Sequence, residues 1–356
     1  MKNMIKNIST AIVWLAAGIG AAQIRAQEIV EKEPGWYATR ELKTAGGPGS
    51  SNRLVIKSAV NLSGRIDLET ADQKVITVTY TKQSKAASKA KGVDYIDLIS
   101  VVIDNSAGQA RLEFRAPNPA PWNKETESGI VEAVVTVPRS FAVEIDAMYF
   151  DLVANGPLSS LRVPSSLGKL DINDVTDLID VSSANRKVSL RHVSGDISVN
   201  TTNALIEAKQ IDNLKGAARF RNEGGDIRID SARGAINVKN SYGRIDIEHF
   251  TPRGEASFIR SNSGPIMVGL AQMGEGRLVI TNQYEDIEVA MPDTLSATLS
   301  LAVDEDGTID VTDLVFKTDL VEHDRLNLHT REGIAEITGS IRGKGSIVVR
   351  GRKGSE

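Results

Sequence analysis

Five acidic residues in a shared setting are the side chains of this sequence best placed to do chemistry. Each stands within one residue of an isoleucine in a short aliphatic segment; they are Asp67, Asp196, Asp226, Asp246 and Asp286. Carboxylates stacked about 5 Å apart repel unless a basic side chain or a cation such as calcium lies between them. Arg65, Arg244 and Pro265 take the position before the isoleucine in other copies, and the nonapeptide of calcium-bound β-rolls is absent. The sequence therefore favours solvated turn acids over calcium and predicts no metal site.

Alternating charge in two neighbouring copies is the second candidate. Period two puts three charged residues of each copy on one face; these are Asp226, Arg228 and Asp230, and Arg244, Asp246 and Glu248. Two or three carboxylates clustered on one outer face are what a polysaccharide-cleaving β-helix needs. Aromatic residues make up only 4% of the chain, however, which argues against clefts that stack sugars. We therefore predict no catalytic residue and keep a polysaccharide-active enzyme as the alternative.

The residue types that usually hold metals are sparse. The chain has no cysteine, which excludes disulfides and thiolate sites. Its four histidines are His192, His249, His323 and His329, and only the last two are close in sequence. A metal site needs three or four converging ligands, so these histidines are predicted to lie on the surface, and no cofactor is predicted.

The candidate acids belong to a phrase that recurs six times, in which a small polar residue and a glycine precede alternating branched aliphatics. Its last five copies begin at Asn222, Asn240, Asn262, Asn282 and Asp304, a period of about 20 residues that indicates stacked coils. We predict that asparagines form a ladder at equivalent corners and that most glycines bend the chain at positive φ. The turn and ladder positions are Asn61, Gly64, Asn222, Gly225, Asn240, Gly243, Asn262, Gly264, Asn282, Asp304 and Gly307.

The elements between these turns read as short strands at regular intervals, such as Ile227–Ile229, Ile245–Ile247 and Ile287–Val289. Period two buries the aliphatics and exposes the residue between them. Two such strands per turn of the chain predict an all-β protein, a parallel β-solenoid with about 20 residues per coil. The lysine-rich segment 81–91 favours a loop over a helix, and a strand is expected over 96–103.

The chain divides into four expected parts. Residues 1–26 resemble a cleaved signal peptide, with Lys2 and Lys6 before an apolar run too short for an anchor of about 20 residues. Residues 27–53 are expected to be a linker. Residues 54–139 are expected to be an N-terminal β region of capping coils, and 140–350 the solenoid repeats. The segment 341–350 is expected to close the far end or to pair in a homo-oligomer through the solenoid ends.

These phrases, together with Val-x-Val-Pro corners such as Val135–Pro138 and Val289–Pro292, resemble the bacterial "putative adhesin" domains of unknown function. That family comprises toastrack-like β-solenoid repeats. The resemblance spans about residues 54–350 and is densest from 185 to 311. It implies a cell-envelope protein without an established enzymatic activity or an agreed ligand.

The sequence thus predicts an exported, non-enzymatic solenoid that acts as an adhesin-like binding or scaffold surface in the bacterial cell envelope. The expected location is the periplasm, the outer surface or the extracellular space. Expected partners are an envelope polymer or a protein; the net charge of −4 argues against nucleic acid. A sensory or regulatory ectodomain in envelope stress is a further alternative.

Overall fold

The computed structural model describes residues 28–106, 108–122, 125–304 and 306–353. These residues form 27 strands and one helix, so the prediction of an all-β solenoid with many parallel strands is confirmed. The expected signal peptide, 1–26, lies outside the described residues. No helix among the described residues is long and apolar enough to cross a membrane.

The first ten elements are β1 (Ile29–Glu33), β2 (Trp36–Thr39), β3 (Leu42–Gly46), β4 (Arg53–Ser58), β5 (Leu62–Ala71), β6 (Ile76–Lys85), α1 (Lys89–Asp97), β7 (Ser100–Ser106), β8 (Gln109–Arg115) and β9 (Ser128–Pro138). The next nine are β10 (Ala142–Asp146), β11 (Phe150–Ser166), β12 (Leu170–Ala184), β13 (Val188–Ser194), β14 (Asp196–Thr202), β15 (Ile206–Asn222), β16 (Ile227–Asn240), β17 (Ile245–Phe250) and β18 (Ser257–Ser261). The last nine are β19 (Ile266–Leu270), β20 (Arg277–Asn282), β21 (Ile287–Pro292), β22 (Ala297–Val303), β23 (Ile309–Thr312), β24 (Lys317–Val321), β25 (Arg325–Thr330), β26 (Ala335–Ile341) and β27 (Ile347–Arg352).

Each coil contributes one strand to each of two parallel stacks, which we call the first and second sheets. The first sheet runs through β5, the leading halves of β11 and β12, β13, the leading halves of β15 and β16, and then β17, β19, β21 and β27. The second runs through β4, β10, the trailing halves of the same long strands, β14, β18, β20 and β26. Equivalent positions such as Ile172, Leu190, Ala208 and Ile229 are therefore register partners that recur once per coil.

The core lies between the two sheets, as period two dictates. One row of the first sheet consists of Ile227, Ile245, Ile266 and Ile287, which are fully buried and cover one another coil by coil. Residues of the second sheet face them in the same hydrophobic cluster. Full burial of one such side chain contributes about 1.5–3 kcal/mol, so the uninterrupted rows are the main source of cohesion.

Both ends of the stack depart from sequence order. At the N-terminal end, β9 pairs in parallel with β5 and antiparallel with β6, so it lies between them. At the other end, β26 lies between β20 and β22, while β27 lies between β21 and β23. The expectation that 341–350 closes the far end is therefore wrong. The antiparallel strands β24 and β25 cover the end of the second sheet instead.

The N-terminal region is more ordered than the sequence suggested. The segment 27–53 contains β1, β2 and β3, and the last two pair with β6, so it is part of the cap and not a linker. The helix α1 and the end of β6 replace the loop expected over 81–91, and Ile96 is buried at the end of the helix instead of starting a strand. Local pattern failed here because Tyr95 and Ile96 gain burial against the core, and Tyr37 packs against Gly92.

The asparagine corners form a ladder, but with different bonds from those expected. The Asn240 amide donates to the carbonyls of Gly225 in the preceding coil and Gly243 in its own, each at 2.8 Å. Asn222 and Asn282 donate in the same way to Ala204 and Gly264, at 2.5 and 3.0 Å. Within the described residues, these amides bond backbone carbonyls and not one another.

Three other positions that were predicted to belong to the ladder lie outside it. The register pairs Asn240 with Ser261 and Ser261 with Asn282, which leaves Asn262 one position further along and exposed. Asn61 binds the Pro117 carbonyl in the N-terminal cap at 2.6 Å. Asp304 is exposed, and its carbonyl accepts a bond from the Gly307 amide.

Close backbone approach explains most of the turn glycines. A Cβ on Gly225, Gly243 or Gly264 would lie 2.0–2.2 Å from a carbonyl oxygen of the preceding coil, and one on Gly307 would lie 2.5 Å from the Gly345 oxygen. Of the seven glycines that precede strands and were expected to have positive φ, three have it: Gly64 at 150°, Gly195 at 87° and Gly234 at 105°. The other four, Gly225, Gly243, Gly264 and Gly307, do not. The glycines are therefore needed chiefly for space between coils and less for left-handed conformation.

Replacing Asn240 with Leu should lower the free energy of unfolding by about 1–3 kcal/mol, because two buried carbonyls lose their donor. Urea denaturation measures the change. Asn262→Leu is the control, since that side chain is exposed, and it should change stability by less than about 0.5 kcal/mol. Equal stabilities of the two variants would contradict the ladder.

Replacing Gly243 with Ala should destabilise the fold by about 1–3 kcal/mol, because neither coil can move away without breaking its strand pairing. Gly274→Ala is the matched control, since nothing lies within 4 Å of a Cβ built there. Thermal unfolding followed by circular dichroism compares them. A wild-type midpoint for Gly243→Ala would mean that the coils tolerate wider spacing.

Candidate functional site

A column of left-handed residues marks the rim where coils pass from the first sheet to the second. Its members, one coil apart, are Asp174, His192, Gln210, Ser231 and His249, with φ between 50° and 60°. Such φ values are uncommon for residues other than glycine, asparagine and aspartate. The backbone turns tightly here without a loop, and four of the five side chains are exposed on the rim.

This corner brings histidine next to an acid. The His249 ring Nδ1 lies 2.9 Å from Asp230 Oδ1, and the Ser231 hydroxyl donates to the same oxygen at 3.0 Å. Because a carboxylate only accepts, Nδ1 carries the proton, which leaves Nε2 of the neutral ring with a free lone pair. His192 makes the same contact with Asn173 Oδ1 at 3.0 Å, so the arrangement follows from corner geometry.

Asp230, Glu248 and His249 together form the one group of three metal-ligating side chains found among the described residues. One ligand atom from each lies within 4.8 Å of the others. The sequence missed this group because Asp230 and His249 belong to successive coils and meet only through the register of β16 and β17. The repeat length itself is the signal that could have found it, since residues about one period apart become neighbours.

Charge around the group lowers two carboxyl pKa values. The hydrogen bond from His249 is the main cause that holds the pKa of Asp230 below its usual value, with help from Ser231 and Lys209. The pKa of Glu207 is also lowered, first by the hydrogen bond from Lys187 and further by Lys209. Both carboxylates are therefore ionised at neutral pH, and nearby cations balance them.

The five acids singled out in the sequence do not form one stack. Asp226 and Asp286 directly precede their strands, and Asp196 is the first residue of β14. Their carboxylates accept backbone N–H groups of the next coil: Arg244 at 3.1 Å, Ser346 at 2.8 Å and Ala217 at 3.4 Å, respectively. Asp67 and Asp246 stand two positions later in the phrase, and Asp67 pairs with Arg65 at 2.8 Å. The first three acids therefore join successive coils.

The charged faces proposed for an enzyme do lie side by side. Arg228 pairs with Asp226 at 3.2 Å, and Asp230 and Glu248 are opposite one another in the register. The depression between them measures about 190 Å³. Pockets that enclose a ligand are usually about 300–1,000 Å³, so this surface is too shallow to surround a sugar ring.

A larger cleft opens on the same rim, where the tight corner gives way to loops after His249. It measures about 890 Å³ and lies between loops 251–256, 271–276 and 293–296. Arg253, Arg352 and Lys353 line it together with apolar side chains, while Asp230 and Glu248 do not. The longer gaps between strands after Phe250 are the sequence signal that could have located this cleft.

The other two histidines lie on the terminal hairpin. His329 in β25 contacts Asp319 of β24 at 3.0 Å and is half-buried, while His323 in the connecting turn is exposed. They are not joined into the acid group of the rim. The two histidines that are closest in sequence, His323 and His329, are therefore not the ones near the acids; His249 is.

Comparisons with known proteins identify one matching family model and two similar solved structures. The family model described as Toastrack DUF4097 matches residues 52–299. A "putative adhesin" from Bacteroides fragilis NCTC 9343 is 10% identical, with a TM-score of 0.32, over 87% of this chain and 97% of that one. A "putative cell adhesion protein" from Clostridium sporogenes ATCC 15579 is 9% identical, with a TM-score of 0.22, over 88% and 99%. No curated protein matches the chain.

Replacing His249 with Ala should raise the pKa of the Asp230 carboxyl towards the ordinary aspartate value of about 3.9. The Asp230 carboxylate then loses the hydrogen-bond donor that favours its ionised form. Carbon-detected NMR titration of the carboxyl measures this, and His192→Ala is the control, because that ring contacts Asn173 instead. Since the folded pKa is depressed, the pair stabilises the fold above the unfolded pKa and loses this effect as the pH falls through the folded value. An unmoved Asp230 pKa would contradict the assigned hydrogen bond.

Proposed function

The chain belongs to the Toastrack DUF4097 family, and we propose that it is an exported, non-enzymatic protein that presents an adhesin-like binding surface in the bacterial cell envelope. The observation that supports this most is the pair of outer faces. On each sheet, side chains of successive coils align in straight rows at the strand spacing of about 4.8 Å, so any ligand group that one coil recognises is met again by the next.

The arrangement of acids supports a binding role over catalysis. Two neighbouring carboxylates, Asp230 and Glu248, stand on a shallow part of the first sheet. The cleft that is large enough to hold a ligand is lined by cationic and apolar side chains, and Glu275 is the one carboxylate among its described lining residues. Glycoside hydrolysis needs two carboxyl groups on either side of the scissile bond, and here they are outside the cleft.

A polysaccharide-active enzyme remains the second candidate because Asp230 and Glu248 approach within 4.8 Å, near the separation of about 5–5.5 Å in retaining glycosidases. If the protein is such an enzyme, His249 would connect the two acids to the large cleft, because its side chain belongs to the acid group and also lines that cleft. Product analysis distinguishes the two functions.

The purified protein should bind at least one polymer on an array of glycans and cell-wall polymers without shortening it. The array is run with calcium and with a chelator, and the bound polymers are then sized by chromatography. Binding that survives the chelator and leaves the polymer intact is the expected result. Shortened products would replace this proposal with the enzyme, and loss of binding in the chelator would point to a metal at the acid group. No signal on any polymer would refute a polymer-binding surface.

A further inference from the structure

We propose that the outer face of the second sheet binds a linear polyuronate, an acidic polysaccharide with a carboxylate on every ring. The inference rests on the proposed function and names both the face and the ligand. Its central feature is three cations on neighbouring strands, Arg221, Lys239 and Arg260, which we call the basic row.

Strand register places these cations in line. Arg221 of β15 is opposite Lys239 of β16, which is opposite Arg260 of β18, so one cation follows another at each coil. All three side chains are exposed. Arg219 stands two positions before Arg221 on the same face, and Arg342 stands at the corner after β26. The row is straight because the coils stack without offset at about 4.8 Å.

The three cations of the basic row form no ion pair with any described residue. Within the described residues, no carboxylate lies within 4.0 Å of its three cationic groups. The next residues of the same row are neutral: Asn200 is the register partner of Arg221, and Thr281 is the register partner of Arg260. The cations therefore keep their charge available for a ligand, although the net charge of the whole chain is −4.

The first sheet, in contrast, carries several paired cations. Lys209 pairs with Glu207 at 3.5 Å, Arg228 with Asp226 at 3.2 Å, and Arg350 with Glu288 at 3.4 Å. These three cations are balanced within the protein, whereas Arg191 of the same sheet has no ion-pair partner among the described residues. The difference between the faces gives an acidic chain one surface that attracts anions.

Two shallow troughs run beside the basic row and meet at Lys239. One measures about 360 Å³ and is also lined by Arg221, by the polar residues Ser182 and Asn200, and by one acidic residue, Glu223. The other measures about 430 Å³ and is also lined by Arg260 and Arg342, along with the polar residues Thr281, Gln283 and Ser340. Hydroxyl and amide groups next to cations provide partners for both the hydroxyls and the carboxylates of a uronate chain.

The aromatic content of the face favours a sugar acid over a nucleic acid. Phe258 is its one aromatic residue across these coils, and the Arg260 guanidinium covers its ring at 5.4 Å. Proteins that bind single-stranded nucleic acid place several aromatic rings along the groove to stack bases. A polyuronate needs cations at regular intervals and hydrogen-bonding groups between them, which is what the rows supply.

The test compares two triple variants of the full protein for binding to polygalacturonate by calorimetry at low and high salt. The first replaces the basic row: Arg221→Gln, Lys239→Gln and Arg260→Gln. The matched control removes the same types of exposed cation elsewhere: Lys169→Gln, Arg186→Gln and Arg191→Gln, of which Arg191 lies on the first sheet. Unfolding curves check that both variants are folded.

The basic-row variant should weaken binding about tenfold and flatten its salt dependence, as expected for the loss of three exposed charge contacts. The affinity of the control variant should stay within about twofold of the wild-type affinity. Its change in net charge equals that of the basic-row variant, but the replaced cations lie away from the proposed binding face. Polygalacturonate whose carboxyl groups have been reduced to alcohols should not bind.

Three results would overturn the inference: equal weakening in both variants, undiminished binding of the reduced polymer, or tighter binding of duplex DNA or polyphosphate than of polygalacturonate. If the wild-type protein binds other array polymers but no polyuronate, this inference fails while the proposed function stands. If it binds no polymer at all, the proposed function fails with it.

Discussion

The distance between the backbones of successive coils is the constraint on which the rest of the molecule depends. At the corner before the first sheet, that distance leaves no room for a Cβ on Gly243 or Gly264 and holds the Asn240 amide between two carbonyls. Once it is fixed, the parallel ladders on both sheets keep one register through many coils. The aliphatic rows, the histidine corner and the charged faces all inherit that register.

The same constraint decides how charge can be arranged. A side chain on an outer face meets its counterparts one coil away, so each row must balance its charges or leave them for a ligand. The first sheet does the former with pairs such as Lys209 and Glu207. The second sheet carries Arg221, Lys239 and Arg260 without carboxylate contacts among the described residues. The two faces of one repeat thus differ in how far their cations are paired.

The sequence allowed the fold class to be predicted because its signal is strictly periodic. Isoleucine alternation marks the strands, and the repeated asparagines mark the corners. Register was harder: the phrase around Asn262 looks equivalent to that around Asn240, but Ser261 occupies the ladder position. A shift of one position has little effect on a pattern of small polar residues, so sequence alone does not resolve it. The helix α1 also escaped prediction, because its burial depends on partners as distant as Tyr37.

The candidate site was predictable only in its parts. The acids and basic residues were visible, but which of them meet depends on the register between successive coils. His249 reaches Asp230 by that route, whereas His323 and His329, close in sequence, lie apart on a hairpin. Predicting the cleft after His249 would have required knowing that the loops 251–256, 271–276 and 293–296 lie on one rim. Long-range juxtaposition of this kind is set by stacking and not by local sequence pattern.

The insertion of β26 and β27 into the stack has a consequence for how the chain folds. The coil formed by β20 and β21 cannot receive its permanent neighbour until the chain has passed through β22, β23, β24 and β25 and returned. During synthesis, which proceeds from the N-terminus, an unpaired edge therefore persists at β20 and β21 while all of these later strands emerge. That edge is a transient target for chaperones and for mispairing, so assembly of this solenoid is slowest where its topology is least sequential.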